Sequence, residues 1–348
     1  MIRIKKKITL IGHYSVDKKL YNGQTIHATI LLNELKRLNI YDIDIIDTHG
    51  WKNKVFKLIK QCFDACRKSD YIIMMPDYNG FQVFSRLLPL LRGNGKCKLV
   101  YLIIGGWLSE FLESHRQFIS PLNKFDAVLC ETNRLNDELD ALGVGNLYIV
   151  PNFKRLNILS RFPERDPDSF KFCYFARVME EKGIEDAVEA INEVSKKIGK
   201  EKISLDIYGS VESNYAERFE QLRKTFPENV RYMGISEYDK TVDTLKDYYM
   251  LLFPTKYYAE CQPGSIIDAF AAGVPVIAYD WKGGCDMVSE GVDGYLTEIG
   301  VDNLVKLIEN AVDNPDIIEK MKPACTAKAE YFTPEKNVKL IVDILEKI

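Results

Sequence analysis

The sequence predicts an α/β protein of two domains, each a parallel sheet flanked by helices, and three observations carry that prediction. Apolar runs of four to eight residues alternate with helical patterns from end to end of the 348 residues, as βαβ units do in a parallel sheet. The alternation is broken once, at residues 152–169, where a density of Arg, Pro, Asp and Ser marks a linker. With 46% hydrophobic residues the chain can bury a large core, and its length suits two domains better than one.

Taken in order, the apolar runs of the first half place strands at 8–12, 43–47, 71–76, 98–104, 127–130 and 147–150. Helical spacing between them falls at segments such as 24–38, 51–68 and 133–142. The second half repeats the logic, with strands at 171–175, 204–208, 230–233, 250–254 and 275–279 and helices at 183–197, 215–226, 238–248 and 265–272. No sequence repeat links the halves, so any duplication is architectural. The last helix, 335–347, carries Val338, Ile341, Val342 and Leu345 on one stripe and needs a partner surface. The expected organisation is a first domain over 1–155, a second over 165–333, and a C-terminal helix over 334–348 that packs back across the junction.

Composition excludes several classes of function. Forty-seven Lys and Arg against 50 Asp and Glu leave a net charge of -3, so no general affinity for nucleic acid follows and any phosphate binding must be local. The eight cysteines lie mostly in apolar runs or on helical faces, with no secretory signal pattern in front of them, which fits a reducing cytoplasm. Cys62 and Cys66 have helical spacing with no second ligand pair nearby, so they read as buried thiols and no metal is expected. No apolar run approaches the roughly twenty residues that span a bilayer, and a soluble chain is expected. Lys5, Lys6 and Lys7 can touch an anionic membrane surface, although a solvated leader into the first strand is the commoner meaning of such a run. There is no G-x-G-x-x-G after either first strand, no Walker loop, no H-E-x-x-H and no Gly-x-Ser-x-Gly, which removes dinucleotide redox, kinase, metalloprotease and hydrolase readings.

Three segments fall at the carboxyl ends of strands, where open α/β sheets bind ligands. In the first, Arg177 and Lys182 follow the opening strand of the second half. Two fixed cations there can neutralise a diphosphate, although an exposed charged turn would look the same. The second runs from Glu260 to Asp268: Gln262, Gly264 and Ser265 form a turn at a helix start, and Ile266, Ile267, Phe270 and Ala271 supply the helix's apolar face. Asp268 sits one helical turn in, so both acids can look into one cleft. Fixed carboxylates beside free N–H groups suit a ligand with hydroxyls at one end and phosphates at the other, as a nucleotide-sugar has. The third joins Gly12, His13, Tyr14 and Ser15 to Asn22, Gly23, Gln24 and Thr25, where Gly23 and Gln24 can offer N–H groups to the same phosphates.

Together these segments resemble the retaining glycosyltransferases of family four, whose two facing Rossmann-like domains form the GT-B arrangement. The matching pieces are Ala176-Arg177-x4-Lys182-Gly183, Glu260-x7-Asp268, Ala272-Gly-Val-Pro-Val-Ile277 and Val292-Asp-Gly-Tyr-Leu296, with a looser match through Asn22-Gly-Gln-Thr25 and Val150-Pro-Asn152. The resemblance implies that Arg177 and Lys182 bind the donor diphosphate. It places Glu260 by the donor sugar, the turn 262–265 on sugar hydroxyls and phosphate, and Asp268 on the ribose. Three departures are visible. Asp268 is one methylene shorter than the family's usual Glu. Pro263 replaces a Gly and cannot donate an N–H, leaving Gly264 and Ser265 as the donors. The segment Ile104-Gly-Gly-Trp107 stands where many relatives carry a His, and His13 is the nearest replacement by position. Gly105 and Gly106 there let a backbone approach the donor sugar or the acceptor closely. The following 107–112 has helical spacing that suits either an apolar acceptor surface or core packing.

The implied reaction is transfer of a hexose-type sugar from a nucleotide diphosphate sugar to a hydroxyl of a saccharide or lipid-linked saccharide acceptor, with retention, no cofactor and no metal. The implied setting is polysaccharide or glycoconjugate assembly in the cytoplasm, at the inner face of the membrane. A non-catalytic glycosyltransferase-like binding subunit and a sugar-nucleotide epimerase are the competing readings.

Overall fold

The computed structural model describes residues 5–14, 23–50 and 54–348. Ser15, Asn22 and the expected helix start at 51 lie outside the described residues. The chain divides into two compact units, Met1–Arg155 with Phe332–Ile348, and Leu156–Tyr331.

The first unit is built on six parallel strands, β1 (Lys6–Gly12), β2 (Tyr41–Asp47), β3 (Tyr71–Met74), β4 (Lys98–Leu102), β5 (Ala127–Cys130) and β6 (Leu147–Ile149). They lie in the order β2-β1-β3-β4-β5-β6, with Leu10 facing Ile45 on one side and Ile73 on the other. Every residue of β3 and β5 is buried, the signature of strands covered on both faces, which is why they read as unbroken apolar runs. Edge strand β2 instead carries Asp42 and Asp44, charges that discourage further strands from pairing. The three early lysines all have partners: Lys5 donates to Asn39, Lys6 to Tyr71, and Lys7 pairs with Asp44 at 2.7 Å.

The C-terminal helix Pro334–Lys347 belongs to this first unit. Its Val338, Ile341, Val342 and Leu345 are buried in the same core as Leu31 and Leu35 of the helix Gly23–Leu38. His27, on that same helix, is fully buried, with its ring set edge-on to Phe153 at 4.1 Å. Burial among apolar groups pushes the His27 imidazole down from 6.5 to about 4. The unfolded chain therefore takes up this proton first, and stability falls as pH drops through 6.5 toward 4. At pH 5 the loss amounts to about 2 kcal/mol. In urea denaturation, the stability difference between pH 7 and pH 5 should shrink by that amount in His27→Leu. An unchanged difference would mean that the proton is not excluded.

The second unit repeats the architecture with β7 (Phe170–Phe175), β8 (Ile203–Tyr208), β9 (Val230–Gly234), β10 (Met250–Phe253), β11 (Val276–Tyr279) and β12 (Gly294–Thr297), in the order β12-β11-β10-β7-β8-β9. Its core joins Phe172, Tyr174, Leu205, Leu252 and Ile277 to the helices Ile184–Ile198 and Val301–Asp313. Much of the expected linker packs on this unit. The Leu159 N–H donates to the Ala271 carbonyl, and a Cβ at Gly273 would overlap the Phe162 ring. Among the described residues, no helix is long and apolar enough to cross a membrane.

The elements differ from the sequence expectation in identifiable places. Strand β12 was not expected, because its first residue is a glycine. A Cβ at Gly294 would overlap the Val276 carbonyl oxygen of the neighbouring strand, so close pairing requires the residue that strand propensity penalises. The helix Tyr78–Arg92 contains Gly80 and Pro89 and forms because Phe81, Phe84 and Leu88 are buried, Phe81 against Tyr101 of β4. The helix expected over 238–248 is a 3-10 turn, Tyr238–Lys240, followed by the short helix Thr241–Leu245. The apolar 107–112 segment opens the helix Leu108–Ser114 and is buried. Trp107 and Phe111 pack with Phe81 in an aromatic cluster, so core packing accounts for the pattern.

Candidate functional site

In the second unit the strand order reverses around β7: β8 and β9 lie to one side and β10, β11 and β12 to the other. The crevice outside the carboxyl ends of β7 and β10 is thus the topological switch point. Two loops form it, residues 176–183 after β7 and 254–263 after β10. They touch at Gly183, which has φ of +71°; a Cβ there would overlap the Pro254 carbonyl oxygen. Gly183 also accepts the first bond of the helix Ile184–Ile198, from the Ala187 N–H. The loop after β8 closes in the same way, since a Cβ on Gly209 would overlap the Ala176 carbonyl oxygen.

Contact between these loops brings opposite charges together. The Lys182 ammonium donates to Glu260 Oε2, and the Thr255 hydroxyl donates to the same oxygen at 3.2 Å. Both charged side chains are about nine-tenths buried, at 8% and 11% exposure. The ammonium also lies 5.0 Å from the centre of the Tyr257 ring and 5.6 Å from that of Phe253, within cation–π range. A lysine so enclosed needs a carboxylate partner, because an isolated buried charge is costly. Arg177 is set differently. Half exposed, it pairs with Glu212 at 2.8 Å, while its carbonyl accepts from the Tyr174 hydroxyl. Nearby, Lys256 pairs with Asp186 in the first turn of the helix Ile184–Ile198, and Tyr279 donates to the same carboxylate at 2.7 Å.

Beyond Glu260 the loop is pinned by the Trp281 indole N–H, which donates to the Cys261 carbonyl at 3.0 Å, and Gln262 is buried. Pro263 then caps the helix Gly264–Ala271. Ile266 and Ile267 both donate to its carbonyl, so the N–H groups of Gly264 and Ser265 precede the first intrahelical bond. Asp268 is 1% exposed and faces Tyr238, whose pKa is raised by burial and then by the Asp268 charge.

The first unit has its own cleft at a switch point, between β1 and β3. A cavity of about 220 Å³ is lined there by His13, Gln24, Thr48, His49, Asp77 and Asn79, among others. His13 Nε2 and His49 Nδ1 share a hydrogen bond of 2.6 Å, and their rings stack 4.8 Å apart. The Gln24 amide donates to the Met75 carbonyl, which holds the side chain at the cleft wall. Gly23 is the first residue of its helix. Gly105 has φ of +80°, and its N–H donates to the buried Glu131 at 3.2 Å.

The model of one protein family, glycosyl transferases group 1, matches residues 158–331, half of the chain and nearly the whole second unit. The chain belongs to that family. An uncharacterised glycosyltransferase of Methanocaldococcus jannaschii is 26% identical over 164 residues, which is 43% of this chain and 39% of that protein. Among solved structures, Anabaena HepE in complex with UDP superposes with a TM-score of 0.77 at 14% identity, covering 98% of this chain and all of HepE. Sucrose-phosphate synthase from Thermosynechococcus elongatus gives 0.76 at 15% identity, over 99% of both chains. S. aureus TarM, solved with Fondaparinux, alpha-GlcNAc-glycerol and UDP, gives 0.65 at 20% identity, and the match covers 83% of this chain and 59% of TarM. These likenesses carry the fold: two parallel six-stranded sheets flanked by helices.

Within the group 1 domain, the structure brings Lys182 and Glu260 into contact and sets Gln262, Gly264, Ser265 and Asp268 on the segment that follows. Arg177 lies on the same loop as Lys182 but turns to Glu212. Gly23, Gln24, Gly105 and Gly106 belong to the first unit, where Gln24 lines the cleft with His13. Sequence reasoning missed Thr255 and Tyr257 beside the ion pair, Tyr238 beside Asp268, and His49 beside His13. All four follow a strand's carboxyl end, which is the signal that would have found them.

Proposed function

We propose that this glycosyl transferases group 1 protein moves a sugar from a nucleotide diphosphate sugar to a hydroxyl acceptor, with retention at the anomeric carbon. The observation that carries the reading is the enclosed Lys182–Glu260 pair at the switch point of the second unit, beside the open N–H groups of Gly264 and Ser265. An anion entering there meets an ammonium that already lies against two rings and whose charge is little screened by water. As the glycosyl bond breaks, negative charge grows on the leaving diphosphate, and Lys182 and Arg177 stabilise it. With that charge supplied by side chains, the reaction calls for no divalent metal. Glu260, freed in part from Lys182 by the diphosphate, accepts hydroxyl hydrogens of the donor sugar, and Asp268 holds the ribose. Retaining glycosidases act through two carboxylates about 5–5.5 Å apart. Here the diphosphate itself takes the acceptor's proton, and holding the reactants together supplies the rest of the rate.

HepE and TarM were both solved with UDP, and HepE also with UDP-glucose, which makes uridine donors the first to test. The first unit is the acceptor side, its cleft lined by hydrogen-bonding groups that suit a saccharide. A saccharide or lipid-linked saccharide is the acceptor, in glycoconjugate or polysaccharide assembly at the inner face of the cell membrane.

Thermal unfolding with UDP-, GDP-, ADP- and dTDP-sugars tests this directly. A uridine donor at one hundred times its Kd should raise Tm by roughly 5–10 °C, and Lys182→Ala should abolish the shift. No shift with any donor in the wild-type protein would sink the reading.

A further inference from the structure

The helix Val55–Lys68 buries Leu58, Cys62, Ala65 and Cys66 against its own unit, as any helix flanking a sheet does. Its other faces are unusual. Phe56 is 90% exposed, and Val55, Ile59 and Phe63 are between 36% and 39% exposed. At 100° per residue these four side chains fall in one arc of about a quarter turn beside the buried face. Lys57, Lys60, Arg67 and Lys68 occupy the arc beyond it. Residues 54–68 carry a net charge of +4, whereas the whole chain carries -3. Their one acid, Asp64, lies 3.7 Å from Lys68, and the Arg67 guanidinium sits 4.1 Å from the centre of the Phe63 ring. Scattered exposed apolar residues need no explanation, but a stripe edged by a bare phenylalanine and bordered on its solvent side by four basic residues and one acid does.

We infer that this helix is a docking surface for an anionic lipid bilayer, lying in the headgroup plane with Phe56, Ile59 and Phe63 among the acyl chains and its basic residues on lipid phosphates. The chemistry favours a bilayer over a protein groove. The stripe is narrow and convex, the basic residues border its solvent side with long flexible stems that can reach headgroups, and the segment's positive charge stands against an overall negative chain. The same placement bears on the acceptor and, for this step only, rests on the function proposed above. The helix follows the loop after β2, in which Thr48, His49 and Gly50 line the first unit's cleft. A helix anchored in the headgroups therefore holds that cleft close to the membrane surface, and the acceptor it serves is a saccharide carried on a membrane lipid.

Co-sedimentation with vesicles tests the docking surface without donor, acceptor or turnover, so its failure is distinct from failure of the proposed reaction. Wild-type protein should bind phosphatidylcholine vesicles containing phosphatidylglycerol and should not bind pure phosphatidylcholine. Raised salt should weaken the binding. Lys57→Gln and Lys60→Gln should each weaken it roughly fivefold, and Phe56→Ser about tenfold. Phe56 is bare, so Phe56→Ser should keep the wild-type Tm and the donor-induced Tm shift. Equal binding by Phe56→Ser and wild type, or absence of binding to anionic vesicles, would overturn the inference. So would a dimer that dissociates in Phe56→Ser, because the stripe would then belong to a second copy of this chain.

Discussion

Lys182→Ala is expected to lower kcat/KM for sugar transfer by about 10²–10³-fold, the loss that follows when a positioned partner of a developing anion is removed. The size of the effect rests on enclosure. The Lys182 side chain is only 8% exposed, its ammonium lies 5.0 Å from the centre of the Tyr257 ring and 5.6 Å from that of Phe253, and it is held by Glu260, itself bonded by Thr255. Water can replace little of what the ammonium gives a diphosphate in that setting. If Lys182 acts on charge that grows during bond breaking, kcat carries the loss. If it only grips the ground-state diphosphate, KM rises and kcat holds. Lys182→Met keeps a long apolar side chain in the buried site and removes the charge, so it should match the alanine variant in kcat and exceed it in stability. Glu260→Ala is expected to fall by a similar factor, because it loses the proposed sugar contact and releases Lys182 from its set position. Wild-type-like turnover in either alanine variant, with the fold intact by circular dichroism, would remove the pair from the mechanism.

The architecture was legible where burial imposes a pattern and illegible where close contact overrides it. Strands such as Ala127–Cys130 and Met250–Phe253 are covered on both faces and so appear in the sequence as short unbroken apolar runs. Gly294 and the helix Tyr78–Arg92 were hidden for the opposite reason. Backbone approach at Val276 demands the glycine, and core packing of Phe81 and Leu88 outweighs Gly80 and Pro89. The site divides in the same way. Arg177, Lys182, Glu260 and Asp268 could be put forward as candidates because they follow strand ends or open a helix, where open α/β sheets bind ligands. That Lys182 chooses Glu260 while Arg177 chooses Glu212 depends on loop paths, which no local pattern encodes. The stacked imidazoles of His13 and His49 come from the ends of two different strands, 36 residues apart, and only pairing of β1 with β2 in register brings them together.

Gly183→Ala is expected to destabilise the protein by about 3–5 kcal/mol and to abolish donor binding, although it adds one methyl group and touches no charge. Two separate costs add at this position. At φ of +71° an L-residue is strained by roughly 1–2 kcal/mol. The new Cβ would also overlap the Pro254 carbonyl oxygen and lie 2.9 Å from its carbon, so the backbone of one loop must move. Gly291 isolates the first cost from the second. Its φ is +70°, almost the same, but a Cβ there meets nothing within 4 Å. Gly291→Ala should therefore show only the conformational strain, and the remaining loss in Gly183→Ala, measured by urea denaturation of both variants, is the clash. The clash also predicts the functional effect. Relief requires the loop after β7 to draw away from the loop after β10, and Lys182 and Glu260 sit one on each. Separating them breaks the pair that presents the ammonium, so the donor-induced rise in Tm should vanish in Gly183→Ala and persist in Gly291→Ala. Equal destabilisation in the two variants would show that the loops are not pressed together at Gly183, and that contact could then not be what positions the charges.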